Sequence, residues 1–142
     1  MTVISTKRSA WRNLIFLLVL ALASCARPDI LTMFVGTYSD GFYAYEFDQN
    51  AGTLVGDGPV AKAEMPNPSY LAVRGNKVYA VSEMPDARAS VWAWRWGGNG
   101  FELINSQPTG LPERGEDPCY VSTDGTLLAV ANYSGGTLAT YR

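Results

Sequence analysis

The feature that most constrains how this chain can fold is an internal repeat. The segment Pro68-Ser69-Tyr70-Leu71-Ala72-Val73-Arg74-Gly75-Asn76-Lys77-Val78-Tyr79-Ala80-Val81 aligns without a gap on Pro118-Cys119-Tyr120-Val121-Ser122-Thr123-Asp124-Gly125-Thr126-Leu127-Leu128-Ala129-Val130-Ala131, at an offset of 50 residues. Pro, Tyr and Gly coincide, and most apolar positions match. The next stretch, Ser90-Val91-Trp92-Ala93-Trp94, falls on Thr137-Leu138-Ala139-Thr140-Tyr141. An earlier unit enters part-way, with Met33-Phe34-Val35-Gly36 standing where Val78-Tyr79-Ala80-Val81 stand later. A period of roughly 40 to 50 residues holding short strands is that of a propeller blade, a small sheet that hides its faces only by stacking on its neighbours.

The rest of the chain agrees with this reading. Short runs rich in Val, Tyr, Phe, Trp and Thr are bounded by Gly, Asn, Asp and Pro, which is how strands and turns are written. Residues 31–38 and 42–48 read as a hairpin closed by Ser39-Asp40-Gly41, with Asp-Gly expected to supply left-handed backbone. A third strand is predicted at Thr53–Val55. No 3.6-residue apolar period persists after residue 25, so the class is all-β. Trp92, Trp94 and Trp96 alternate with Ala93 and Arg95 and share one strand face. Inter-blade packing is their expected use, with a sugar-stacking platform as the alternative. The units amount to about two and a half blades, and a closed ring takes roughly four to eight. Residues 31–142 are therefore expected to be the N-terminal blades of a longer propeller, since an open sheet face would invite aggregation.

The first 24 residues read as a leader. Lys7, Arg8 and Arg12 precede an apolar run of 10 residues, 14–23, too short to span a bilayer. Leu22-Ala23-Ser24-Cys25 resembles a bacterial lipobox, which implies cleavage before Cys25, acylation of its thiol and a membrane partner through that lipid. The expected organisation is a lipoprotein signal peptide at 1–24, a lipidated Cys and tether at 25–30, and the propeller from 31. The expected location is the bacterial cell envelope, periplasmic or at the outer membrane. With Cys25 acylated, Cys119 has no partner for a disulfide and is expected as a small buried hydrophobe. Beyond the leader, eight basic and 13 acidic residues give a formal charge of −5, which disfavours binding to nucleic acid.

Several motifs also carry a family likeness. Phe34-Val35-Gly36-Thr37-Tyr38, Asn67-Pro68-Ser69-Tyr70-Leu71, Tyr79-Ala80-Val81-Ser82-Glu83, Asp117-Pro118-Cys119-Tyr120-Val121 and Val130-Ala131-Asn132-Tyr133-Ser134-Gly135-Gly136 resemble the lactonase family. That family includes propeller-type 6-phosphogluconolactonases and carboxymuconate-lactonising enzymes. The resemblance implies a seven-bladed propeller with its site at one mouth of the central channel, and a small-molecule lactone as partner. It departs from the family pattern at Tyr120, where a His is frequent; the chain contains no His at all.

Opening a lactone with water needs a base for the water and donors for the oxyanion. Glu83 is the candidate base, because it follows an apolar strand where a blade meets the channel mouth; a solvated turn carboxylate is the alternative. Tyr120 is the candidate donor, being a poor base near neutral pH with an ordinary pKa of about 10. Tyr70, Asn132 and Tyr133 are candidate substrate-binding residues, with blade packing as the alternative for the tyrosines. The loop Glu113-Arg114-Gly115-Glu116-Asp117 is expected to be solvated or to rim the mouth. There is no Ser-His-Asp triad, Gly-x-Ser-x-Gly elbow or phosphate-cradling Gly loop, and no cofactor or metal is implied. Lactone hydrolysis is the leading expectation. A non-catalytic binding propeller and a calcium-dependent lactonase propeller stand as alternatives, the latter using Glu and Asn as oxygen ligands.

Overall fold

The computed structural model describes residues 29–110 and 116–142. The leader, Cys25 and the segment 111–115 lie outside them. Eleven strands form three antiparallel sheets: β1 Ile30–Val35, β2 Gly41–Asp48, β3 Thr53–Val55 and β4 Ala61–Glu64 in the first, β5 Leu71–Arg74, β6 Lys77–Ser82, β7 Ser90–Trp96 and β8 Phe101–Pro108 in the second, and β9 Pro118–Thr123, β10 Leu128–Asn132 and β11 Thr137–Tyr141 in the third. Each sheet is one blade, and the middle one is a four-strand meander in chain order.

The first blade differs in detail from its reading in the sequence. The link between β1 and β2 is five residues, 36–40, rather than a tight turn, and Gly41 is not among the residues with positive φ. Glycine stands there for lack of room: a Cβ would press within 2.6 Å of the Ala63 carbonyl oxygen on the neighbouring strand. That neighbour is β4, which pairs with the first half of β2 while β3 pairs with the second. The outer strand of this blade is thus one strand broken in two, and its Ala-Lys-Ala-Glu half carries little β-propensity to announce it.

The period-2 pattern of the central strands explains how the blades join. On β6, Val78 and Ala80 face the first blade and Val81 faces the third. Phe42, Ala63 and Met65 of the first blade meet Val78, Ala80 and Trp94 of the second in one buried cluster. Val81 and Val91 meet Val121 and Val130 of the third in another. The indoles turn toward the first seam: Trp94 lies edge-on to Phe42 with centroids 6.2 Å apart, and Trp96 edge-on to Phe34 at 5.5 Å. Trp92 stacks on Trp94 at 6.0 Å. Inter-blade packing is their use, as expected. The Tyr141 hydroxyl adds a polar stitch across the second seam, donating to the Pro108 carbonyl at 2.6 Å.

Candidate functional site

Connections of two kinds gather on one side of the three blades. One kind joins β1 to β2, β6 to β7 and β10 to β11, at residues 36–40, 83–89 and 133–136; by the repeat β1 takes the second-strand place that β6 and β10 hold in their blades. The other leads from one blade into the next, at 65–70 and, among the described residues, at 109–110 and 116–117. Backbone bonds lace them together. Asn67 N–H donates to Ser39 O at 2.7 Å and Thr37 N–H to Pro68 O at 2.9 Å; Glu83 N–H donates to Asn67 O at 3.1 Å and Tyr133 N–H to Asp117 O at 3.0 Å. Asp117 N–H in turn donates to Met84 O of the blade before it at 3.2 Å.

Two residues make this lacing possible. Asn67 and Asp117, each just before a proline and 50 residues apart, both hold left-handed backbone with φ of 44°. The right-handed α region is hindered before proline, and Asn and Asp are the non-glycine residues that enter the left-handed one most easily. Their side chains add a second grip. Asn67 Nδ2 donates to Glu83 O at 3.3 Å, and Asp117 accepts the Ser134 hydroxyl. The same local device therefore presents Glu83 in one blade and Tyr133 in the next.

At this side the repeat places Tyr38, Glu83 and Tyr133 in equivalent positions, one per blade, just past the end of each second strand. Tyr38 was not singled out from the sequence, yet it is the residue that engages Glu83. Its hydroxyl donates to Glu83 Oε2 at 3.2 Å across the first seam. The Glu83 carboxylate, through its charge and this bond, raises the Tyr38 phenol above the usual tyrosine range. Only the first-blade unit's partial alignment could have pointed to Tyr38.

Tyr70 and Tyr120 come together, with ring centroids 4.7 Å apart and planes at 46°. Both are exposed, so the pair forms an aromatic surface rather than blade filling. Cys119 departs from its expected burial. It is half-exposed, and the β9–β10 register passes from Ala131↔Tyr120 to Asn132↔Pro118, leaving Cys119 as the extra residue of a bulge. Bulges re-aim side chains in this way beside functional sites. Tyr133 is 81% exposed.

Asn132 is not brought to this surface. It is 4% exposed, and its Nδ2 donates to Thr109 O at 2.8 Å and to Thr137 Oγ1 at 2.9 Å. Glu116, expected in a solvated or rim loop, is also buried, 1% exposed. Two cations near this side are already paired, Lys62 of β4 with Asp40 at 2.8 Å and Arg88 with Asp86 at 2.7 Å. Among the described residues no three His, Cys, Asp or Glu side chains gather as metal ligands would.

With the blades and this surface in place, comparison with known proteins decides the family. Residues 32–142 match the family described as "Lactonase, 7-bladed beta-propeller". The chain belongs to the seven-bladed lactonase propellers. Among solved structures it is similar to a candidate 6-phosphogluconolactonase from Bacteroides fragilis, with TM-score 0.71 and 36% identity over 82% of this chain and 33% of that one. A second candidate 6-phosphogluconolactonase, from Bacteroides uniformis, gives 0.69 and 42% over 79% of this chain and 33% of its own. A periplasmic gluconolactonase from Pseudomonas aeruginosa gives 0.64 and 29% over 79% and 34%. The chain thus spans about a third of the length of these structures. No curated protein matches it.

Proposed function

We propose that these blades form one wall of a lactone-hydrolysing site, acting on an uncharged sugar lactone or a related cyclic ester in the complete propeller. The observation that carries the reading is the Tyr38–Glu83 hydrogen bond across the blade seam, on the surface that also bears the Tyr70–Tyr120 pair. Glu83 is the general base: it takes a proton from water as the water oxygen bonds to the lactone carbonyl carbon. Tyr38 holds the carboxylate in place, and Tyr120 donates to the oxygen on which negative charge develops. Collapse of the tetrahedral intermediate breaks the ring C–O bond, and Glu83 returns its proton to the departing alkoxide. Tyr70 and Tyr133 offer ring faces and hydroxyls to a polyol.

The preference for an uncharged substrate rests on the electrostatics of the described surface. Glu83 and Asp117 are acceptors suited to sugar hydroxyls, whereas phosphate calls for free cations or N–H forks. Lys62 and Arg88 are already taken up by Asp40 and Asp86. The proposed location, lipid-anchored in the bacterial envelope, points the same way, because a phosphorylated sugar lactone is a cytosolic metabolite by its charge. Support for that location comes from the leader pattern ending in Cys25 and from likeness to a periplasmic relative.

The full-length protein should hydrolyse gluconolactone in a pH-stat assay. Glu83→Gln should lower kcat by about 100-fold to 10,000-fold, the range for loss of a general base. A full-length wild-type protein inert toward a panel of sugar lactones would instead mark a binding propeller.

A further inference from the structure

Glu116 occupies a slot that the fold itself does not require to be charged. Its repeat equivalent, 50 residues earlier, is Pro66. In the Pro66 blade the slot is closed simply: the Ser82 hydroxyl donates to Pro66 O at 2.8 Å. In the Glu116 blade the equivalents are polar throughout. Asn132 Nδ2 donates to Thr137 Oγ1 at 2.9 Å, and Thr137 Oγ1 donates to Glu116 Oε2 at 2.8 Å. The carboxylate is 1% exposed, and among the described residues no donor meets its Oε1. Asn132 Oδ1 and Thr109 Oγ1 are left open in the same way. A buried, half-satisfied carboxylate is costly to a fold, while the sister blade meets the same need with an apolar ring.

The surroundings show what the carboxylate holds. Gly110 lies against its stem and Gly135 against Oε2, each so close that a Cβ at either position would overlap the Glu116 side chain. Gly135 belongs to the turn after β10, the turn that carries Tyr133, and Thr137 opens β11 directly behind it. The adjacent Asp117 grips the outer side of that turn through Ser134 and through the Tyr133 amide. Two consecutive carboxylates thus clasp one short turn, Glu116 from the buried side and Asp117 from the exposed side.

We propose that Glu116 is a positioning residue, a buried clasp that fixes the turn 133–136 and so sets the pose of Tyr133 at the mouth. Its kinetic consequence rests on the lactonase reading; its structural consequence does not. The test uses the full-length protein and two variants: Glu116→Gln, which keeps the shape and removes the charge, and Glu116→Pro, which copies the sister slot. Both should fold with near-native thermal transitions. In both, backbone amide exchange at Tyr133 and Gly136 should speed up by about tenfold, with the amides of β6 unchanged, as for a local opening. If lactonase activity is present, KM should rise by about fivefold with kcat held, and the rise should vanish in a Tyr133→Ala background. Unchanged exchange at Tyr133 and Gly136 in a folded Glu116→Gln protein overturns the clasp. Exchange that quickens equally in β6 overturns it too, because Glu116 would then serve the fold at large. Absence of lactonase activity alone removes the proposed reaction and leaves the exchange result to decide the clasp.

Discussion

At the scale of single residues, the pairing of Tyr38 with Glu83 has a consequence that can be measured without substrate. A phenol beside a carboxylate resists losing its proton, since the phenolate would add a second negative charge. The sign is therefore upward for Tyr38, as the structure gives it, and neutralising Glu83 removes the main cause. In a spectrophotometric titration, Glu83→Gln should bring one tyrosine down to an ordinary pKa of about 10. Tyr38→Phe should remove one tyrosine from the high-titrating class, in which burial keeps Tyr141, and identical curves for wild type and Glu83→Gln would show that the two groups do not interact. Glu83, Tyr70, Tyr120 and Tyr133 could be read from the chain because they sit at repeat positions beside proline or strand ends. Asn132 shared that signal and yet turns inward, because strand alternation puts it on the face of Val130, as it buries the equivalent Ser82 in the blade before. The burial of Glu116, expected in a solvated or rim loop, could not be read, because it depends on room left by Gly110 and by Gly135, a residue of a different turn.

At the scale of elements, strand alternation carries most of the stability argument. A central strand buried on both faces must satisfy two seams at once, and β6 does so with Val78 and Ala80 toward one and Val81 toward the other, while β2 buries Phe42 in the first seam. Phe42 is the largest of these and touches both Trp94 and Phe101, the latter with centroids 4.7 Å apart. Truncating it leaves a cavity between two sheets that pair internally and cannot easily collapse onto each other. Phe42→Ala should therefore cost about 3–5 kcal/mol, read from denaturant midpoints of the full-length protein. A loss below about 1 kcal/mol, the size of a surface change, would show that this seam relaxes freely. Strand alternation and aromatic content made these seams legible in the sequence. The broken outer strand β3–β4 was only half legible, because Ala-Lys-Ala-Glu pairs by position and not by propensity.

At the scale of the whole molecule, the repeat does more than name a fold. Because blades are related by a fixed offset, each mouth position is sampled once per blade, and a ring surface is written as a sparse column through the sequence: Tyr38, Glu83, Tyr133 in one column, Ser69 and Cys119 in another. The proposed attachment of that ring to a membrane is a separate matter, resting on the leader pattern that ends in Cys25. A diacylglyceryl group on Cys25 brings two long acyl chains, each contributing about 0.8 kcal/mol per buried CH2, so that two together hold a protein durably where one chain binds only reversibly. Membrane attachment should then hinge on one sulfur. On detergent phase separation the full-length wild-type protein should enter the detergent phase and take up labelled fatty acid. Cys25→Ser should lose the label and move to the aqueous phase, with lactonase activity and thermal transition unchanged. Labelled Cys25→Ser protein in the detergent phase would place the attachment elsewhere on the chain.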